Sequence, residues 1–212
     1  RQQLAGAAGG PLRAQKLFWF GAMEYRNQDG AIPVGARDVA SRTIRQAFAA
    51  APLDDLLASA RIDSRPNAID GISIRYAAQR ADDTNASTLD RSIGSASQRQ
   101  ASQNRYQSVV GAWTRIWSPT LVNVTTASYS TFTNVINPLA AGPQLTYPSI
   151  QDGTSFRVPQ GTTQKRFQLA NSTTLVRGAH TLRTGGEWQS VHARFDLGVF
   201  QEGRIEFVQD FA

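Results

Sequence analysis

Chemistry in this chain would have to come from very few side chains. There are two histidines, His180 and His192, and no cysteine. They stand twelve residues apart and outside any H-E-x-x-H pattern, so they read as a turn histidine and a surface histidine, with no metal site. Asp54-Asp55 and Asp82-Asp83 could be imagined as acid-base couples, but adjacent residues of an extended chain point to opposite faces. Solvated loop charges describe them better. No G-x-S-x-G elbow and no phosphate loop ending in Lys-Ser or Lys-Thr is present. The glycine pairs Gly9-Gly10 and Gly185-Gly186 suit strand kinks or close packing. The expectation is a protein that is no enzyme, with no catalytic residue and no cofactor.

The elements behind these residues carry more information. Alternating apolar and polar stretches run into very short turns and return, as in GGPLRAQKLFWFGAMEYRNQ, AWTRIWSPTLVNVTTASYS and STTLVRGAHTLRTGGEWQS. Long polar connections separate them. Short turns on one side and long loops on the other are the chain-level mark of an outer-membrane β-barrel. The 41% hydrophobic content and mean hydropathy of −0.34 would also suit a water-soluble domain. No run approaches the ~20 apolar residues of a transmembrane helix, so strands would have to carry any membrane role. No secretion-signal pattern opens the sequence, and an exported protein would have lost it. The net charge is +6, but the arginines are scattered singly, and a phosphate footprint needs clustered cations. Nucleic acid is not expected as a partner.

Read along the chain, hairpins fall at about 3–28, 57–80, 106–132 and 167–195, and loops at about 29–56, 81–105, 133–164 and 196–203. In the first long loop, DVASRTIRQAF has Asp38 as a plausible N-cap and Val39, Ile44, Ala47 and Phe48 loosely at helical spacing, predicting one short helix over Asp38 to about Phe48. Asp82 to Gln103 reads as a mobile polar loop. Asn137 to Gly161, with Pro138, Pro143, Pro148 and Pro159, reads as a cover that is neither sheet nor helix. The last segment, GRIEFVQDFA, begins a further strand without a partner.

Period-two alternation then sorts the side chains. Trp19, Tyr25, Ile72, Ile74, Tyr76 and Trp188 are candidates for a lipid-facing surface with an aromatic girdle. Glu24, Arg26, Arg61, Asp63, Arg75, Gln79, Arg183, Glu187 and Gln189 are candidates for a lumen wall. Phe18 and Phe20 mix into that polar face. On the third hairpin the phase stays open: either Trp113, Arg115 and Trp117 look inward, which adds Arg115 to the lumen set, or Arg115 lies near the rim of the lipid face and snorkels. The inward phase is preferred.

GGPLRAQKLFWFGAMEYRNQDG, RIDSRP followed by ISIRYA, WTRIWSPTLVN, and LVRGAHTLRTGGEW resemble, in that order, the start of the barrel in Oar-like TonB-dependent outer-membrane receptors. The resemblance covers nearly the whole chain. It implies an all-β fold in the cell outer membrane of a Gram-negative-type bacterium: an antiparallel transmembrane segment of about eight or nine strands from a barrel of around 22, filled by a plug. It also implies the partners: outer-membrane lipid, a plug and further strands beyond this sequence, a TonB energy-coupling system and a small scarce nutrient. Two other classes stay open. A small closed eight-stranded barrel with an adhesive or structural role would pair the Gln3–Gly10 strand with the strand around Glu187. A soluble β-sandwich binding module would place Trp19, Tyr76 and Trp188 in a core.

Overall fold

The computed structural model describes residues 1–86 and 93–211. Eight long strands form one sheet: β1 (Gln2–Arg13), β2 (Leu17–Gln28), β5 (Leu53–Ser64), β6 (Asp70–Ala86), β8 (Arg99–Ser118), β9 (Leu121–Pro138), β12 (Gln160–Arg177) and β13 (His180–Leu197). They pair in that order, every neighbour antiparallel. Among the described residues the sheet is not closed, because β1 pairs only with β2 and β13 only with β12.

Four of the connections are short and all lie at one end. Gln15 at φ 56° and Gly178 at φ 60° supply the left-handed backbone of the first and last turns. At the β5–β6 turn the Asn67 carboxamide oxygen accepts from the amides of Ile69 and Asp70, an Asx-type closure. Pro119 stands in the β8–β9 turn, where no ladder donor is needed.

The opposite end carries the long excursions, and here the structure departs from four of the sequence readings. The segment read as a loop helix is a β-hairpin of β3 (Ala31–Asp38) and β4 (Thr43–Ala50), paired from Asp38↔Thr43 to Ala31↔Ala50. Asp38 does accept a backbone amide, from Ser41 at 3.1 Å. The bond closes a turn instead of capping a helix, and the backbone leaves it through Arg42 at φ 52°. The β-branched Thr43 and Ile44 then continue as strand.

The proline-rich cover also holds strands. β10 (Gln144–Thr146) and β11 (Ile150–Gly153) pair with each other, β7 (Ile93–Gly94) joins β11, and β14 (Arg204–Glu206) joins β10. The segment GRIEFVQDFA is therefore partnered, within this small sheet of order β14-β10-β11-β7. The polar loop placed at Asp82–Gln103 is mostly strand where it is described: β6 runs to Ala86, a single 3-10 turn spans Ala96–Gln98, and β8 starts at Arg99. Residues 87–92 lie outside the described residues.

These excursions form one cap. Val34 of β3, Ile150 of β11, Tyr147 and Val158 are buried. Gly35 bridges to Ser95, and a Cβ there would stand 2.7 Å from the Ile150 Cδ1, so a larger residue would oblige the buried Ile150 side chain to shift. Asp152 accepts from the hydroxyls of Ser95 at 2.6 Å and Ser97 at 2.5 Å, while the Gln98 amide donates to the carbonyls of Asp152 and Gly153. Arg37 donates to the Asp210 carbonyl and lies 4.1 Å over the Tyr147 ring, which stacks on Phe207.

Candidate functional site

The functional surfaces of such a sheet are its two faces, and the register fixes which residues share each one, since directly paired residues in an antiparallel ladder project to the same side. One continuous row runs Gly10, Trp19, Ile62, Ile74, Gly111, Ala127, Leu169, Trp188. Three residues far apart in sequence, Trp19, Ile74 and Trp188, thus stand on one line. Tyr25, Ile72 and Tyr76 fall on the same face by alternation. Trp19, Ile74 and Trp188 are 40, 51 and 59% exposed. That is no core, which removes the sandwich reading.

The opposite face carries Glu24, Arg26, Arg61, Asp63, Arg75, Gln79, Arg183, Glu187 and Gln189, all in matching register. Its middle row runs Gly9, Phe20, Arg61, Arg75, Val110, Ser128, Gln168, Gln189. Arg61 is held by both oxygens of Asp63. Arg26 and Gln79 both donate to Asp55, at 2.6 and 3.0 Å. Sequence reasoning passed over Asp55 as a loop charge, although it sits at the same alternation as Leu57, Arg61 and Asp63. Phe18, Asp63, Ser73 and Ile116 line an open concavity of about 850 Å³ toward the turn end of this face.

Arg115 corrects the preferred phase of the third hairpin. It pairs with Asp70 and Asn123, and Trp113 pairs with Ile72, so both belong to the tryptophan face and not to the wall with Arg75 and Glu187. The turn end explains why a cation is tolerated there: the Arg115 guanidinium lies 4.3 Å over the Trp117 ring and 3.9 Å from Asp70, whose carboxylate also accepts from the Trp113 indole at 2.9 Å. The alternation alone cannot choose between phases on a strand where one side mixes Trp113 and Trp117 with Arg105 and Arg115 while the other carries Val110, Ala112 and Ile116. Only the pairing with β6 decides it.

The apolar face is bounded at both ends. On β6, Asp70 and Arg80 flank Ile72, Ile74, Tyr76 and Ala78; on β8, Arg115 and Arg105 flank Trp113, Gly111, Val109 and Gln107. Ten residues of strand rise about 34 Å, which at a tilt near 45° is about 25 Å across a membrane, the height of the apolar band of outer-membrane barrels. The upper limit also slants across the register. It is Asn27 on β2 and Asp54 on β5, which pair directly, then Arg80 on β6 and Arg105 on β8, which pair one row lower, then Lys165 on β12 a further row lower. A plane cutting tilted strands gives this stagger.

Beyond the upper limit the two faces differ. Asp55, Ala81, Gln100 and Ser102 of the polar face are buried, whereas Asp54, Arg80 and Gln103 of the apolar face at the same height are exposed. The cap therefore covers the polar side only, tied down by Arg99 donating to the Ala50 carbonyl and Thr84 to the Pro52 carbonyl. Among the described residues no three His, Asp or Glu side chains are grouped as a metal site requires; His180 and His192 are both exposed.

An open antiparallel sheet with one apolar, banded face and one covered, polar face is the architecture of an outer-membrane barrel wall. In agreement, the model of the outer membrane beta barrel domain family matches residues 48–212. The chain belongs to that family, and it is a protein of the outer membrane of Gram-negative-type bacteria. No curated protein matches it in sequence.

Proposed function

We propose that this chain is one side of a TonB-dependent receptor barrel that takes up a scarce nutrient. The observation that carries the reading is positional. The four segments that resemble Oar-like receptors are the four short-turn hairpins themselves: Gly9–Gly30 across β1–β2, Arg61–Ala77 across β5–β6, Trp113–Asn123 across β8–β9, and Leu175–Trp188 across β12–β13. Four matches in order, all at one end of consecutive hairpins, support a shared barrel plan. The unpaired outer edges of β1 and β13 support a larger barrel, because lipid tolerates no open ladder. They also speak against the small closed barrel, which needs β1 paired to the strand bearing Glu187. In this reading Trp19, Tyr25, Ile72, Ile74, Tyr76 and Trp188 face lipid. Glu24, Arg26, Arg61, Asp63, Arg75, Gln79, Arg183, Glu187 and Gln189 face a lumen that a plug fills, and the cap overhangs the mouth. The barrel does no chemistry of its own; the TonB system supplies the energy that moves the plug. Uptake by whole cells with and without a protonophore tests it. Energy-coupled uptake collapses when the proton gradient is discharged, whereas uptake indifferent to the gradient would leave a passive pore.

A further inference from the structure

The last hairpin carries a feature of the apolar face that transport does not use. On β12 and β13, Lys165 pairs directly with His192, and Arg194 follows two residues further toward the cap. All three are exposed on the face that carries Trp188. Directly toward the turn end lie Phe167, Leu169 and Trp188, with the Phe167 and Trp188 rings 5.7 Å apart at 58°. Cations thus stand at the upper limit of the apolar band with an aromatic and aliphatic shelf immediately beneath. One of the charges is unmatched within the chain. Arg194 has Asp196 at 2.9 Å, but Lys165 has no carboxylate partner among the described residues. Elsewhere along the same limit the pattern differs: Asn27 and Asp54 bring no cation, and Arg80 and Arg105 both bind Asp82.

We propose that Lys165, His192 and Arg194 form a docking site for a phosphorylated glycolipid of the outer leaflet, with its phosphate on the Lys165 and Arg194 cations beside the His192 ring and an acyl chain along Phe167, Leu169 and Trp188. The long-loop end of an outer-membrane barrel faces the cell exterior, so the site meets the outer leaflet. Anionic headgroups are the complement of cations held at the membrane surface. Pairing of the free β13 edge with a further strand would leave the site in place, because ladder bonds lie in the sheet plane and these side chains project from it. The site rests on the reading that the tryptophan face meets lipid.

The test uses the full barrel in nanodiscs of phosphatidylcholine containing either phosphorylated lipid A or its dephosphorylated form, with retained lipid counted by native mass spectrometry. The phosphorylated form should be retained and the dephosphorylated form lost. Lys165→Gln with Arg194→Gln should weaken retention roughly thirtyfold, as removal of two surface cations implies. Lys165→Arg with Arg194→Lys should preserve it, and Arg183→Gln on the opposite face should leave it unchanged. Equal retention of both lipids, or full retention by the double glutamine variant, would overturn the site. Brominated acyl chains separate the two levels: they should quench a component of fluorescence that Trp188→Phe removes. No such component would sink the lipid-facing reading itself, while quenching with charge-independent retention would sink the docking site alone.

Discussion

The eight-stranded sheet and the cap at its long-loop end are built from the same strands and turns, yet they bury opposite things. In the cap Ile150 is 1% exposed, and Val34, Tyr147 and Val158 are buried with it, as in the core of a water-soluble protein. Among the described residues of the large sheet no big apolar one is buried, and many stand in the open, including Leu56, Ile62, Ile74, Val109, Leu169 and Trp188. What the large sheet satisfies internally is its backbone, through long ladders. Burial identifies a core only where water is the solvent. Where lipid is the solvent, the ladder comes first, and the apolar side chains are left for the membrane to cover.

The sharpest way to break this comparison is to offer the chain water alone. With open edges on β1 and β13 and an uncovered apolar face, it should precipitate or form mixed oligomers in buffer and become ordered only in detergent or vesicles. Light scattering during refolding, followed by heat-modifiable gel migration, reads this directly. A monodisperse monomer in plain buffer would mean that the exposed face belongs to a soluble fold. The next largest effect separates the regions: Ile150→Ala should destabilise the cap by about 2–5 kcal/mol while leaving vesicle insertion unchanged. Protease sensitivity of residues 139–159 against insertion yield distinguishes the two.

Much of the sheet was legible because lipid-facing strands obey a single rule over many residues. The four hairpins, the long-loop asymmetry and the faces of Trp19, Ile74, Trp188, Glu24, Arg75 and Glu187 all follow from period two. The strands were read too short, since β6 and β8 continue past the membrane into the polar sequence around Asp82 and Gln103, where alternation carries no apolar signal. The cap was the least legible part. Its strands are two to eight residues long, two of its pairings, β7 with β11 and β10 with β14, join segments more than fifty positions apart, and Asp38 forms the same side-chain bond in a turn as in a helix cap. Pairing at that range leaves no local trace. Arg115 failed for a related reason, since its face depends on β6 and not on its own strand.

The cap should also respond to acid where the sheet does not. Burial pushes the Asp152 carboxyl up, but the hydroxyls of Ser95 and Ser97 and the Gly153 amide outweigh it and hold the group below its ordinary value. A depressed carboxyl stabilises the fold above its unfolded value, and that stability is lost as pH falls through the folded one. The protection of amides 93–98 and 150–153 against hydrogen exchange, relative to the intrinsic rate at each pH, should therefore fall on acidification below the usual carboxylate range. Asp152→Asn should weaken the cap at neutral pH and remove most of this acid response. Protection in the β8–β9 ladder should stay level, and a parallel loss there would mean that cap and sheet melt as one unit.

The smallest effect locates the membrane boundary most finely. Arg115 and Gly111 lie on the same strand and the same face, four residues apart, one at the turn-end limit and the other in the middle row with Ile74 and Ala127. Arg115→Gln removes the stacking on Trp117 and the approach to Asp70, and should cost only about 0.5–1 kcal/mol of folding into lipid, as for a cation over an exposed ring. Gly111→Arg introduces the same guanidinium where a Cβ would meet nothing within 4 Å, so steric crowding is absent. It should cost about 2–4 kcal/mol, the figure for arginine at the bilayer midplane. Urea titration of vesicle-folded barrels measures both. If the two variants cost the same, position 111 is not in the membrane interior and the band drawn between Arg115 and Arg105 is misplaced. If Arg115→Gln costs as much as 3 kcal/mol, Arg115 is a buried ion-pair member rather than a rim residue, and the turn-end limit lies closer to the turn at Pro119.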